Sequence, residues 1–245
     1  MDALNMKDLT CLFLTMNLVP WAAYHQKMML EAIGDYPLIT ISRLPMEGLP
    51  GIQIRQGAEQ SHDKIFKMML VGAKMATTDY IAMVEDDMVY SKDHFELRPP
   101  LDTFGYNWNR WVMFTWGEPM YSFKRRICNG CSILPRLELI DALEERYAKW
   151  KDGIPHLLAG EVGYAKVEKA LGVKVRKFIP MYSKTPVVQV QHIFGTPGIG
   201  KPKSMWKPGD TLDLEARKTR RRHGMIRAYE IPHWGRAENL IQNFL

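Results

Sequence analysis

At 245 residues with 46% hydrophobic content, the chain can bury one substantial α/β core with a C-terminal extension. No window approaches the roughly 18 uninterrupted apolar residues of a membrane helix, so the expectation is a soluble, cytoplasmic protein with no membrane partner. Three cysteines cannot all pair, which argues against a disulfide framework, and the net charge of +6 is concentrated in segment 217–222, where five of six residues are cationic.

The run Leu9–Leu14 predicts a buried strand that breaks at Thr15-Met16-Asn17-Leu18-Val19-Pro20. A helix over Trp21–Ile33 with a Gly34 stop, then a strand over Pro37–Ser42, completes a β-α-β unit. Beyond a Pro/Gly-rich connection over Pro45–Gly51, a helix spans Ser61–Met75 with Ser61 as its cap. The apolar strand Tyr80–Val84 runs directly into Glu85-Asp86-Asp87. Strands alternating with helices predict a mostly parallel central sheet flanked by helices, with ligands beyond the carboxyl ends of its strands. Downstream lie expected strands over Arg110–Trp116 and Ile127–Leu134, helices over Arg136–Trp150 and Glu161–Leu171, and a strand over Val173–Ile179. From about Thr185 the chain is rich in Pro, Gly and cations, with a long loop at 195–203. The expected division is a 1–195 domain, with a nucleotide-sugar half to about 100 and an acceptor half after it, and a basic extension at 196–245.

Three adjacent acids ending an apolar strand repel one another unless protonation or a cation relieves them. A hard divalent ion such as Mn²⁺ or Mg²⁺ takes few protein carboxylates and fills its shell with phosphate oxygens and water. The triplet therefore reads as a platform for a metal-bound diphosphate, against the plainer reading of an acidic surface turn. Cys128 and Cys131 have C-x-x-C spacing, but no second pair exists for a zinc site, so they read as structural. The basic run 217–222 is either a solvated face or a contact for phosphate, including DNA.

Leu12-Phe13-Leu14-Thr15-Met16-Asn17 and the segment from Ala73 to Asp87 resemble the donor half of family-2-like glycosyltransferases. That resemblance implies an α/β fold of the GT-A (nucleotide-diphospho-sugar transferase) kind, and covers residues 9 to 195. It implies Asp87 as a metal ligand, Asp86 at the ribose or metal, Glu85 orienting the nucleotide, and Thr15, Asn17 and Arg43 lining the base and ribose pocket. Lys64 is a further nucleotide contact. Ala159-Gly160-Glu161-Val162-Gly163-Tyr164-Ala165 resembles the segment carrying the family's catalytic acid, here reduced to the single carboxylate of Glu161, whose implied role is general base in an inverting displacement. His192 lies where such enzymes supply a histidine to the metal, with His223 and His233 as rivals. Trp116 and Tyr121, flanked by turn residues, are acceptor-cleft candidates.

The implied donor is a nucleoside-diphosphate sugar, a UDP-sugar first. The overall pattern is also similar to small virus-encoded glycosyltransferases that decorate hydroxymethylated pyrimidines in DNA, which implies a DNA partner for 217–222 and a host cytoplasm. Bacterial surface-glycan synthesis is the rival acceptor class. A nucleotidyltransferase is disfavoured because residues 15–20 lack a Gly-rich, Arg-containing loop, while a noncatalytic nucleic-acid-binding protein explains the basic run and leaves the acids unexplained.

Overall fold

A computed structural model describes residues 8–57, 61–192 and 226–245. In chain order it contains β1 (Leu9–Thr15), α1 (Ala22–Ile33), β2 (Leu38–Ser42), β3 (Ile52–Arg55), α2 (His62–Met75), β4 (Tyr80–Glu85) and β5 (Met88–Val89). There follow β6 (Phe104–Asn107), β7 (Arg110–Phe114), β8 (Tyr121–Phe123), β9 (Ser132–Pro135), α3 (Arg136–Lys149), α4 (Ala165–Leu171), β10 (Phe178–Met181), β11 (Val187–Gln191) and β12 (Arg227–Ala228).

Period-2 patterning builds the central sheet. Along β1, Leu12 faces one core with Ile39, Ile41, Phe66, Met69, Ile81, Met83 and Leu139, while Cys11 and Phe13 face the other with Met29, Ile33, Leu38, Ala82 and Val84. Helices α2 and α3 cover the first face and α1 the second, which is why these strands read as continuous apolar runs. Gly72 lets α2 approach closely, since a Cβ there would meet Leu12 Cδ1 at 2.4 Å. The seven strands are ordered β10-β6-β9-β4-β1-β2-β3, and only β9 runs antiparallel to its neighbours. This is the mostly parallel, helix-flanked α/β sheet expected from the sequence.

A second sheet, β12-β8-β7-β11-β5, was not anticipated. Its core gathers Val19, Trp21, Met113, Tyr121, Val190, Ile241 and Phe244. Because β4 lies in the first sheet and β5 in the second, the chain crosses between sheets at Asp86-Asp87. Among the described residues, no helix is long and apolar enough to cross a membrane.

Several expected boundaries are corrected. The helix expected from Glu161 begins at Ala165, because side-chain bonds hold residues 160–163 in an irregular conformation. The strand expected over Val173–Ile179 begins only at Phe178 and runs on to Met181, since Glu168 and the acids of α3 hold Arg176 before it. In place of a strand from Ile127, a 3₁₀ turn occupies Asn129–Cys131 and β9 starts at Ser132. Its close packing suits Gly130, where a Cβ would lie 2.7 Å from Glu85 Oε2. The strand expected to reach Trp116 ends at Phe114. Strands β3 and β6 were missed; β3 is an exposed edge and β6, Phe-Gly-Tyr-Asn, is short and contains a glycine.

Candidate active site

Parallel strands deliver their carboxyl ends to one edge. In register there, Thr15 of β1 lies beside Ser42 of β2, and Leu14 beside Glu85 of β4. The Thr15 hydroxyl donates a short hydrogen bond to Asp86 Oδ2, joining the first strand to the acidic triplet. Asn17 adopts φ +53°, a left-handed conformation that asparagine tolerates, with its N–H on Thr15 Oγ1 at 2.8 Å and its side-chain amide on the Pro45 carbonyl at 2.7 Å. Asn17 thus builds the turn that shapes this edge. Arg43 is half-buried at the same edge, its backbone N–H donating to the Thr15 carbonyl at 3.2 Å. Lys64 lies in the first turn of α2, its backbone N–H donating to the capping Ser61 hydroxyl at 3.2 Å.

Asp87 is buried. Its Oδ2 accepts from Gln189 Nε2 at 3.1 Å, and its Oδ1 has no hydrogen-bond partner among the described residues. Burial, then the charge of Asp86, pushes its carboxyl up to about 7. Glu85 is driven well above the usual carboxylate range by burial and by Cys128, Asp87 and Asp86, and burial raises Asp86 against the opposing Thr15 hydrogen bond. Arg110, itself buried, offsets part of this charge. It donates to Gln189 Oε1 at 3.1 Å, so that Gln189 links the guanidinium to Asp87.

Burial and mutual repulsion therefore disfavour the ionised carboxylates, and one buried Asp87 oxygen lacks a donor among the described residues. These properties fit a hard divalent cation with few protein ligands. Among the described residues, no group of three or more His, Cys, Asp or Glu side chains is arranged to hold a metal, so most of the shell would come from phosphate and water. His192 packs edge-on against Trp21 at 4.9 Å, and Trp21 Nε1 donates to the Asp86 carbonyl at 2.8 Å. Burial pushes the His192 imidazole down to about 4, leaving it neutral, the form that ligates metals. His233 is exposed, and His223 lies outside the described residues, as does the basic run 217–222.

Glu161 is half-buried. Burial and then Cys128 raise its carboxyl, while Arg126 and Arg110 lower it. Cys128 and Arg110 also act on Glu85 and Asp87. The structure brings Thr15, Glu85, Asp86 and Asp87 together at one sheet edge, with His192 reached from the Asp86 carbonyl through Trp21. The Cys128 thiol is lowered by a hydrogen bond from Cys131, then by Arg110 and Lys124; Cys131 belongs to the core and Cys128 packs against it. Burial and the nearby Arg110 charge push Lys124 down to about 8.

The two acceptor candidates separate. Trp116 is half-buried against Phe114, with ring centroids 5.4 Å apart. Tyr121 is fully buried in the second sheet's core, and its acceptor assignment is withdrawn because no substrate reaches that ring. Sequence reasoning missed Arg110, Gln189 and Trp21 as parts of the site. Its signal was available: Arg110 opens the apolar strand Arg-Trp-Val-Met-Phe, and Gln189 interrupts Val-Val-Gln-Val-Gln, where a buried polar group requires a partner.

No protein-family model and no curated protein sequence matches the chain. Among solved structures, a glycosyltransferase involved in glycosylation of the major capsid of PBCV-1 aligns with a TM-score of 0.41 at 13% identity, covering 74% of this chain and 92% of its own. A protein from Aquifex aeolicus VF5 aligns at 0.44 and 12%, covering 73% and 89%. Residues 1–349 of S. aureus TarS align at 0.43 and 9%, covering 75% and 60%. All three TM-scores are below 0.5, so the functional reading rests on the residues of the site.

Proposed function

We propose that the chain is a metal-dependent, inverting glycosyltransferase that moves a sugar from a nucleoside-diphosphate donor, a UDP-sugar first, to an acceptor hydroxyl. The observation that carries this reading is the buried Asp87 carboxylate, one oxygen unpartnered among the described residues, beside two further acids at the carboxyl edge of a parallel sheet. Asp87, with His192, would hold Mn²⁺ or Mg²⁺. A divalent cation bound there supplies positive charge to the departing diphosphate.

The protein's own groups take the remaining tasks. Thr15 fixes Asp86 through its hydroxyl, leaving Asp86 Oδ1 for the ribose or the metal shell. Arg43, at the same edge, and Lys64, in the first turn of α2, are nucleotide contacts. Glu161 accepts the acceptor hydroxyl's proton as that oxygen forms its bond to the anomeric carbon, while the bond to the diphosphate oxygen breaks. Its raised carboxyl suits a base working near neutral pH. A single displacement of this kind inverts the anomeric centre.

Lys124, Arg125 and Arg126 follow β8 as a run of three cations, and Arg126 acts electrostatically on Glu161. They favour an anionic acceptor, with a hydroxymethylated pyrimidine in DNA as the first to test. A thermal-shift panel of nucleoside diphosphates with Mn²⁺ or Mg²⁺ tests the donor reading. One nucleotide should raise Tm only with metal, by the mass-action stabilisation expected of native-state binding, and Asp87→Ala should abolish that shift. Equal shifts in parent and variant would remove the metal–diphosphate assignment. DNA binding that survives in Asp87→Ala, with no sugar-nucleotide turnover by the parent, would favour the nucleic-acid-binding alternative.

A further inference from the structure

The segment that carries Glu161 belongs to no helix or strand, yet buried side chains hold four successive residues of it. Arg146 Nη1 donates to the Gly160 carbonyl at 2.8 Å and Nη2 to the Glu161 carbonyl at 3.2 Å. The Tyr106 hydroxyl donates to the Val162 carbonyl at 2.6 Å, and the Gly163 N–H donates to Glu168 Oε1 at 2.7 Å. Arg146 and Glu168 form an ion pair at 3.5 Å, both side chains 0% exposed. Glu168 Oε2 also accepts the Arg176 N–H at 2.8 Å, tying the segment to the approach to β10.

A buried ion pair is weak evidence for stability, because desolvation can cancel its Coulombic gain and an apolar pair can replace it. Its geometry is more informative. A guanidinium is a planar, rigid fork, and here two of its nitrogens hold the carbonyls of consecutive residues. Fixing both carbonyl directions restricts the backbone rotations at Glu161, and with them the direction of its Cα–Cβ bond. An ammonium, a single point of charge, cannot hold both carbonyls with that angular definition. We infer that Arg146, supported by Glu168, is a positioning residue that aims the Glu161 carboxylate at the acceptor hydroxyl. This rests on the base role proposed for Glu161, and adds to it the group that sets its orientation.

Arg146→Lys keeps the charge opposite Glu168 but loses the fork. With the donor chosen by the nucleotide panel, the variant should bind the nucleoside diphosphate with unchanged affinity and lose about 10- to 100-fold in turnover, the penalty of a misplaced reacting group. Hydrogen exchange at the amides of 161–164 should accelerate in Arg146→Lys and stay at the parental rate in Glu161→Gln. In a Glu161→Gln background, Arg146→Lys should bring no further loss, because a base that is absent cannot be misaimed. If Arg146→Lys does not fold, the paired change Arg146→Met with Glu168→Gln removes both charges and is read in the same way. Parental turnover in a folded variant, with Glu161→Gln inactive, overturns the positioning role and leaves the base role standing. Additive losses in the double variant also overturn it, assigning Arg146 to general stability. Full turnover by Glu161→Gln overturns the base role itself, whatever Arg146 does.

Discussion

The acidic triplet and the Gly160–Gly163 segment solve opposite problems. Residues 85–87 inherit their position from two β ladders, β4 beside β1 and β5 beside β11, with ionised forms that burial and mutual repulsion disfavour. Residues 160–163 have no ladder, and buried side chains of Arg146, Glu168 and Tyr106 fix them. A group meant to meet a cation can keep its charge exposed to its neighbours, provided the backbone is already rigid. A group meant to move a proton needs a defined direction, and irregular chain obtains that only from specific contacts. Breaking each kind of support should therefore have a different consequence.

The largest effect is expected where direction matters. Glu161→Gln keeps the shape and removes the proposed base, so turnover should fall about 10²- to 10⁴-fold. Nucleoside-diphosphate affinity, measured by thermal shift, should stay at the parental value. A matching loss of affinity would place Glu161 in donor binding and make the two regions alike.

The triplet should respond in the opposite sense when its charge is removed. Asp87→Asn relieves a buried carboxylate that burial and Asp86 disfavour. Without metal, the variant should be more stable than the parent by about 1–3 kcal/mol, since one unit of carboxyl shift is worth 1.36 kcal/mol and the pair is coupled. Denaturant unfolding in the presence of EDTA checks this, and a destabilised variant would show that the protein itself already balances the charge at Asp87.

This contrast also explains what could be read from the sequence. β1, α1, β2, α2 and β4 announce themselves by local pattern: apolar runs, the Gly34 stop, the Ser61 cap. The triplet was legible because it ends such a strand. Residues 160–163 misled because Glu161 and the apolar spacing after it fit a helix, whereas the contacts that hold the segment come from Arg146, 14 residues before Gly160, and Tyr106, 56 before Val162. Local pattern carries no trace of such contacts. The second sheet escaped for the same reason: β11 finds its parallel neighbour β7 across the whole stretch between Phe114 and Val187. Tyr121 looked exposed between turn residues because nothing nearby in sequence reveals the core formed by Val19, Val190 and Ile241.

Two tyrosines allow a finer comparison, one in each region. Tyr106 and Tyr90 are both fully buried, with hydroxyls spent on backbone groups. Tyr106→Phe leaves the Val162 carbonyl without its donor, and should cost about 1–3 kcal/mol of stability together with a fall in turnover, because that bond helps to hold irregular chain.

Tyr90→Phe is expected to have the smallest effect on function. Its hydroxyl accepts from the Glu85 N–H at 3.1 Å and donates to the Gly130 carbonyl at 2.9 Å, so the variant also loses about 1–3 kcal/mol of stability. The pairing of β4 with β1 from Leu9↔Tyr80 to Leu14↔Glu85 is untouched, and that ladder sets the position of the acids. Nucleotide affinity and turnover should therefore stay at parental values in the folded variant, while Tm falls by as much as in Tyr106→Phe. If turnover falls equally in both variants, strand support and side-chain support are equivalent here, and the hydrogen bond from Tyr90 to the Cys128–Cys131 turn must itself help to place Glu85.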